Sequence, residues 1–308
     1  MVRYSEKEVP VTAVKAKSLL SGDFPLLNDA KNHNASMIVV KNSIEEDFSD
    51  LEIFIDYIKD SWITKSPLIQ GKSKQQVNQK ECETMMKEML RDRNQLCRIL
   101  HARKHDLESS TRMFWEQVRF RNRWRPKEIE PSHLPNALPS GAWRLCGFSK
   151  EGCVMSNYKL ELWDPNAYGG RGMNKKDSFE KGVEEYTRYV LYMLEQMIVK
   201  MKPEAPQKFV LIFDLKGFKA SLVFSKNVRA MVRKLIYIAQ SQYPERLRKV
   251  LLVNPPYGFE PAWKLIKSVL DGSTATKIKF CFKFDELLEE CDRDVLPKEY
   301  GGMAEYQF

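Results

Sequence analysis

His101 and His105 stand four residues apart in a stretch of helical periodicity, a spacing that can put two imidazoles on one metal ion. No Glu sits next to His101, as the zinc-protease motif requires, and no third ligand is evident, so surface or packing histidines are expected. All four histidines (His33, His101, His105, His133) precede residue 134, which makes a Ser-His-Asp or Cys-His site confined to the C-terminal half impossible. Gly71-Lys72-Ser73 resembles the end of a phosphate loop, but Ser66 occupies the position of the motif's first glycine. Gly169-Gly170-Arg171-Gly172 lacks the strand-then-helix setting of a dinucleotide site and is expected to form a flexible loop. Asn34-Ala35-Ser36 is a glycosylation sequon by pattern only. The six cysteines are scattered without a Cys-x-x-Cys pair, as reduced cytosolic thiols would be. Binding is therefore expected rather than catalysis, with no catalytic residue, no metal and no cofactor.

The stretch from Tyr243 to Gly302 is more informative. An apolar run, Val250 to Val253, ends at the abrupt turn Asn254-Pro255-Pro256, and a helix is expected from about Gly258. Phe259, Trp263, Ile266 and Leu270 fall within about 60° on its helical wheel. Lys267 flanks that face and Lys264 lies beyond it. Core packing explains such a face, and so does contact with an anionic membrane surface.

The elements that must position these residues can be read from periodicity. The 308 residues, 43% hydrophobic, suffice for a real core, and the net charge of +9 permits an anionic partner without choosing one. No apolar run approaches the roughly 20 residues of a membrane span. The opening MVRYSEKEVP has no apolar segment of a secretory signal. Residues 43–62 show rough helical spacing, Thr64 to Gln79 reads as a linker, and Glu81 to Arg125 reads as helices with Asp106 as a cap. Prolines 126, 131, 135 and 139 end that region. Two strands follow around Ser149 to Gly152, then an amphipathic helix from Ser178 to Met201. The buried-strand runs Phe209–Phe213 and Val250–Val253 flank a helical stripe of Val228, Met231, Val232, Leu235 and Ile238, which makes a β-α-β unit. The class is α/β with a helical N-terminal lobe.

At this point the sequence resembles a known family. Tyr-Pro-Glu-Arg-Leu at 243–247, a strand, Asn254-x-Pro256-x-x-Phe259, an aromatic helix, Leu270-Asp271, Thr274-x-x-Lys277-Ile278 and Leu296-Pro297-x-x-Tyr300-Gly301-Gly302 occur in the order of the CRAL-TRIO family. They are similar to its branch of yeast phosphatidylinositol and phosphatidylcholine transfer proteins. Leu100 to Asp106 and Val210 to Phe218 resemble further segments of that branch. The resemblance covers roughly Glu81 to Gly302.

That resemblance implies a CRAL-TRIO lipid-binding fold: a mixed β-sheet floor flanked by helices, a mobile gate helix, and an all-helical N-terminal lobe in front. The implied division is an extension at 1–75, the helical lobe at 76–135 and the lipid-binding domain at 136–308. The gate is Phe259 to Leu270, with Phe259, Trp263, Lys264, Ile266, Lys267 and Leu270 as its working residues. The phosphatidylinositol head group is implied to meet Arg103, Lys104, Glu245, Arg246, Thr274 and Lys277. A carboxylate accepts from inositol hydroxyls, while Lys and Thr serve the phosphodiester. Phe209, Leu211 and Phe213 are expected in the pocket. Phe209 and Leu211 replace the hydroxyl residues of phosphatidylcholine-binding members, so a second, more apolar ligand such as a sterol is the expectation. About thirty lipid methylenes at about 0.8 kcal/mol each amount to on the order of 20 kcal/mol, so exchange must occur against a membrane. The expected protein is a cytoplasmic monomer, transiently and peripherally membrane-associated, with no nucleic-acid partner. A carrier of another hydrophobic molecule and a lipid-regulated protein-interaction module are the competing readings.

Overall fold

The computed structural model describes residues 49–62, 79–168 and 175–305. The expected strand at Met37–Val40, the sequon, the linker with Gly71-Lys72-Ser73, and the Gly169–Gly172 loop lie outside the described residues.

The chain forms two compact units. The first joins the helix at 49–62 (α1) to residues 90–112. That stretch contains helix α3 (Arg93–Ala102), capped where the Asp92 carboxylate accepts from the Gln95 amide at 2.9 Å. Asp106 caps the next helix by accepting from Ser109 N at 2.8 Å, and hydrogen bonds from the Ser109 hydroxyl and then its amide hold the Asp106 carboxyl below the usual range. His105 Nδ1 meets Asp50 Oδ2 at 2.9 Å, so its ring is held by a carboxylate. Among the described residues no group of three His, Cys, Asp or Glu is disposed to hold a metal.

The second unit holds residues 79–89 and 113–305. Within the expected helical lobe at 76–135, residues 90–112 group with the first unit and the other described residues with the second. Helix α2 (Gln79–Arg91) groups mostly with the second unit. Its Cys82 lies 3.8 Å from Asn122 on α4 (Leu107–Trp124), and Glu88 pairs with Lys127 at 3.3 Å. Composition marks linkers, whereas packing decides which helix belongs to which core.

The sheet has five strands in chain order: β1 (Trp143–Phe148), β2 (Val154–Lys159), β3 (Phe209–Asp214), β4 (Leu247–Val253) and β5 (Ile278–Cys281). The β1–β2 hairpin is antiparallel and the remaining pairs are parallel. The crossovers carry α5 (Lys175–Lys200), α6 (Lys226–Tyr237), and then α7 (Glu260–Lys267) with α8 (Gly272–Thr276). Crossovers of one hand between strands added in one direction bring their helices to one face. Residues from α5, α6 and α7 share a core with Tyr158, Phe209 and Leu252 on that face. Val210, Ile212, Leu251 and Val253, one residue out of phase, point to the other face, as the period of two demands.

That second face is closed by the C-terminal segment, with Leu287, Cys291, Leu296 and Tyr300 buried on it. Tyr300 OH donates to Asp214 Oδ2 at 2.8 Å and accepts from Asn157 Nδ2 at 3.0 Å. Asn254 Nδ2 and the Lys216 amide donate to Asp214 Oδ1 at 2.8 and 2.9 Å. Burial and the Asp214 carboxylate push the Tyr300 phenol up, so its proton stays in the hydrogen bond.

Candidate functional site

An apolar cavity opens on the helix-covered face. Its floor is Tyr158 and Phe213, whose rings stack at 4.9 Å, and Leu215 just beyond β3. Val228, Val232 and Leu235 of α6 form one wall, as their predicted stripe allows, with Arg229 and Arg233 beside them. The opposite boundary is Phe259 with Ala262, Leu265 and Ile266 of α7 and Val269 beyond it. Trp163 lines the cavity, and its indole N–H and the nearby Tyr168 hydroxyl are buried without a hydrogen-bond partner among the described residues. Burial raises the phenols of Tyr158, Tyr168, Tyr186 and Tyr189, the last to about 12. All four therefore remain neutral at physiological pH. Of the three pocket residues expected from sequence, Phe213 lines this cavity. Phe209 and Leu211 share its face but are packed in the core nearer the start of β3.

Helix α7 ends at Lys267, earlier than expected, and Leu270 falls in the turn before α8. Asp271 then opens α8 by accepting from Thr274 N at 2.5 Å, which stops the two short helices from merging. Phe259 and Ala262 are buried. Trp263 meets the Phe280 ring edge to face at 5.2 Å. Lys264 and Lys267 face solvent, with Lys264 held to Glu260 at 2.8 Å. Tyr257, Leu265 and Val269 are apolar and exposed along the same element and its flanks. An apolar side and a partly apolar outer side on one short helix fit an element that moves between protein and another apolar phase.

The polar residues lie elsewhere. Glu245 and Lys277 form an ion pair at 3.5 Å, both partly buried. Glu245 immediately precedes Arg246 and β4, and Lys277 immediately precedes β5. Because those strands pair in parallel, with the Lys277 carbonyl accepting from Val250 N at 2.9 Å, the two side chains share one end of the sheet. Glu245 holds a left-handed backbone, φ 56°, which costs a residue with a Cβ about 1–3 kcal/mol. Thr274, partly buried on α8, is three residues before Lys277. Arg246 differs: it is buried, and its guanidinium donates to the Gln207 carbonyl at 3.0 Å, tying β4 to the loop after α5. Arg103 and Lys104 end α3 in the other unit, Arg103 partly buried and Lys104 exposed with φ 51°. The cavity lies toward the carboxyl ends of β3 and β4, and the Glu245–Lys277 pair at the amino ends. The seven residues of β4 put about 20 Å between them.

Sequence reasoning missed the contributions of Trp163, Phe218 and Leu222 to the cavity, because they sit in short turns with no periodicity to mark them.

Comparison with known proteins agrees with this architecture. The CRAL/TRIO domain model matches residues 139–302. The phosphatidylinositol transfer protein CSR1 of Eremothecium gossypii is 29% identical over 227 residues, 70% of this chain and 48% of that one. This chain thus spans about half the length of that relative. The SEC14 cytosolic factor of Kluyveromyces lactis is 30% identical over 219 residues, 70% of this chain and 72% of that one. The crystal structure of Sfh5 superposes with a TM-score of 0.56 at 18% identity, covering 83% of this chain and 88% of that one. The sheet, the cavity beneath α7 and the match across residues 139–302 together make this chain a member of the CRAL/TRIO family.

Proposed function

We propose that this chain binds phosphatidylinositol and exchanges it at membrane surfaces by opening α7. The observation that carries this reading is the apolar cavity bounded by a short helix with apolar residues inside and out. Its lining is almost wholly apolar, as a pocket for lipid chains requires. Lipid chains inside would be kept from water, so release requires the outer residues Tyr257, Leu265 and Val269 to enter a bilayer first. Lys264 and Lys267 then face anionic head groups. The action is binding and presentation, not catalysis, at the cytoplasmic face of a membrane visited transiently by a protein whose described helices include none long and apolar enough to cross it.

In this reading Glu245 accepts from inositol hydroxyls, while Lys277 and Thr274 hold the phosphodiester. Arg246 supports the head group by fixing the start of β4. One leaflet, head group included, spans about 20 Å of a bilayer roughly 40–45 Å thick. A lipid held by its head at Glu245 and Lys277 therefore reaches the cavity beneath α7, with Leu211 and Phe213 along its route. The relatives' printed names, a phosphatidylinositol transfer protein among them, support the substrate class. The test is lipid extraction from the purified chain, followed by phosphatidylinositol transfer between vesicles. Recovery of the lipid and transfer that is slowed about tenfold in Lys277→Ala are the expected outcome; an empty pocket and no transfer would remove the reading.

A second ligand of lower polarity is favoured by one observation. Phe209 and Leu211 on the helix-covered face of β3 offer no side-chain hydroxyl. A sterol-like molecule would suit that surface, and phosphatidylcholine as the main co-purified lipid would exclude it.

A further inference from the structure

Away from the cavity, three cations converge on one indole. The guanidinium of Arg123 lies 5.3 Å from the Trp124 ring centre, that of Arg188 5.6 Å, and the Lys234 ammonium 5.8 Å. They come from three helices, α4, α5 and α6, and all three charges lie within a sphere of about 6 Å radius around that ring. None of these residues lines the cavity.

The balance of charge there is uneven. Arg188 has a carboxylate, Glu184, at 3.0 Å. Arg123 and Lys234 have no ion pair among the described residues; their contacts are aromatic. Helix α6, Lys-Asn-Val-Arg-Ala-Met-Val-Arg-Lys-Leu-Ile-Tyr, carries four cations and no acid. Lys234 is partly buried, and burial with the Arg123 charge lowers its ammonium. Packing alone does not call for this arrangement, because any one cation would cover the ring and the Arg123 charge opposes the Lys234 ammonium. A doubly charged anion would relieve the repulsion, with the planar forks of Arg123 and Arg188 matching its oxygens and Lys234 adding a point charge.

We propose that Arg123, Arg188 and Lys234, gathered around Trp124, form a binding site for a phosphomonoester anion, separate from the lipid cavity. The phosphate could reach the site as a soluble inositol phosphate or as the head group of a phosphorylated lipid; the chemistry of recognition is the same.

Two arms of one experiment separate these sources. Calorimetry of the full chain uses inositol trisphosphate as the soluble probe. Sedimentation uses phosphatidylcholine vesicles carrying a few mole per cent of phosphatidylinositol monophosphate, against vesicles carrying phosphatidylinositol, whose phosphate is a diester. Each of Arg123→Gln and Lys234→Gln is expected to weaken trisphosphate binding about tenfold, the loss of one charged hydrogen bond. Arg123→Lys should fall between wild type and Arg123→Gln, since charge remains but the fork is lost. Arg123 is exposed, so its variants keep the fold, and an unchanged thermal midpoint without ligand verifies this. Recruitment to monophosphate vesicles that depends on Arg123 identifies a lipid head group. Calorimetric binding without recruitment identifies a soluble anion. The site is overturned if the chain binds neither probe, or if binding survives both substitutions and falls instead with Lys277→Ala.

Discussion

The two faces of the sheet are built from alternate residues of the same strands, yet they are finished differently. On the face of Val210 and Ile212, the C-terminal segment closes a core in which Asp214, Asn157 and Tyr300 are buried and hydrogen-bonded to one another. On the face of Phe213 the helices stand off around the open apolar cavity, and the Trp163 indole N–H has no hydrogen-bond partner among the described residues. A core closed by packing and by the Asn157–Tyr300–Asp214 hydrogen bonds specifies one structure. A core with room is suited to taking up another molecule. One strand register thus serves stability on one side and binding on the other.

The sharpest test of that contrast uses neighbouring residues of β3. Ile212→Ala on the closed face should cost about 2–5 kcal/mol, the usual range for a buried aliphatic truncation. Phe213→Ala should cost less than half as much, because its surroundings already tolerate a void. Urea unfolding measures both, and equal costs would break the comparison. Gly302→Ala belongs with Ile212: an added methyl would sit 1.7 Å from the Leu296 carbonyl oxygen, so loss of the folded state at 37 °C is expected on this side alone.

Effects on exchange come next in size. Lys277→Ala should reduce phosphatidylinositol transfer about tenfold, the loss of one charged contact. Its unfolding midpoint should hardly move, because a partly exposed ion pair contributes about 0–1 kcal/mol. A drop in stability with transfer unchanged would make the pair structural. Smaller still, Lys264→Glu with Lys267→Glu should slow exchange with anionic vesicles several-fold at low salt and little at high salt, given about 1 kcal/mol per basic residue near such a surface. Salt-independent rates would remove the electrostatic part of the gate. Last, Cys281 and Cys291 on the closed face have thiols pushed up to about 11 by burial. They should resist alkylation at neutral pH until global unfolding, and lipid extraction should not expose them.

Legibility in sequence followed regularity. β3 and β4 were readable because Phe209–Phe213 and Val250–Val253 are unbroken apolar runs, and α5 because Phe179 to Met197 keeps a helical step. β5 went unread: four residues, Ile278–Cys281, with Lys279 among them, carry too little pattern. The end of α7 was placed too late because Leu270 stays in phase with Phe259 although the helix has stopped at Lys267. The closed face was not foreseen, since residues 284–304 fold as short turns whose burial depends on a sheet far away in sequence. Glu245, Thr274 and Lys277 were found through motif resemblance. Their distance from the cavity was not, because it depends on where the parallel strands begin and end. The cations around Trp124 come from three helices, and no spacing along the chain connects them.

The strand order, which follows the chain without a single inversion, has a consequence for synthesis. Each strand can join the growing sheet as it emerges from the ribosome, beside the one before it, with no earlier gap to refill. The helix-covered face can assemble during translation, one crossover at a time. The opposite face has no cover until residues 284–304 leave the exit tunnel, so Val210, Ile212, Leu251 and Val253 stay solvent-facing on the nascent chain until then. That interval is when the newborn protein most needs a chaperone, and a stall near Cys281 would leave a sheet with one finished side and one adhesive side.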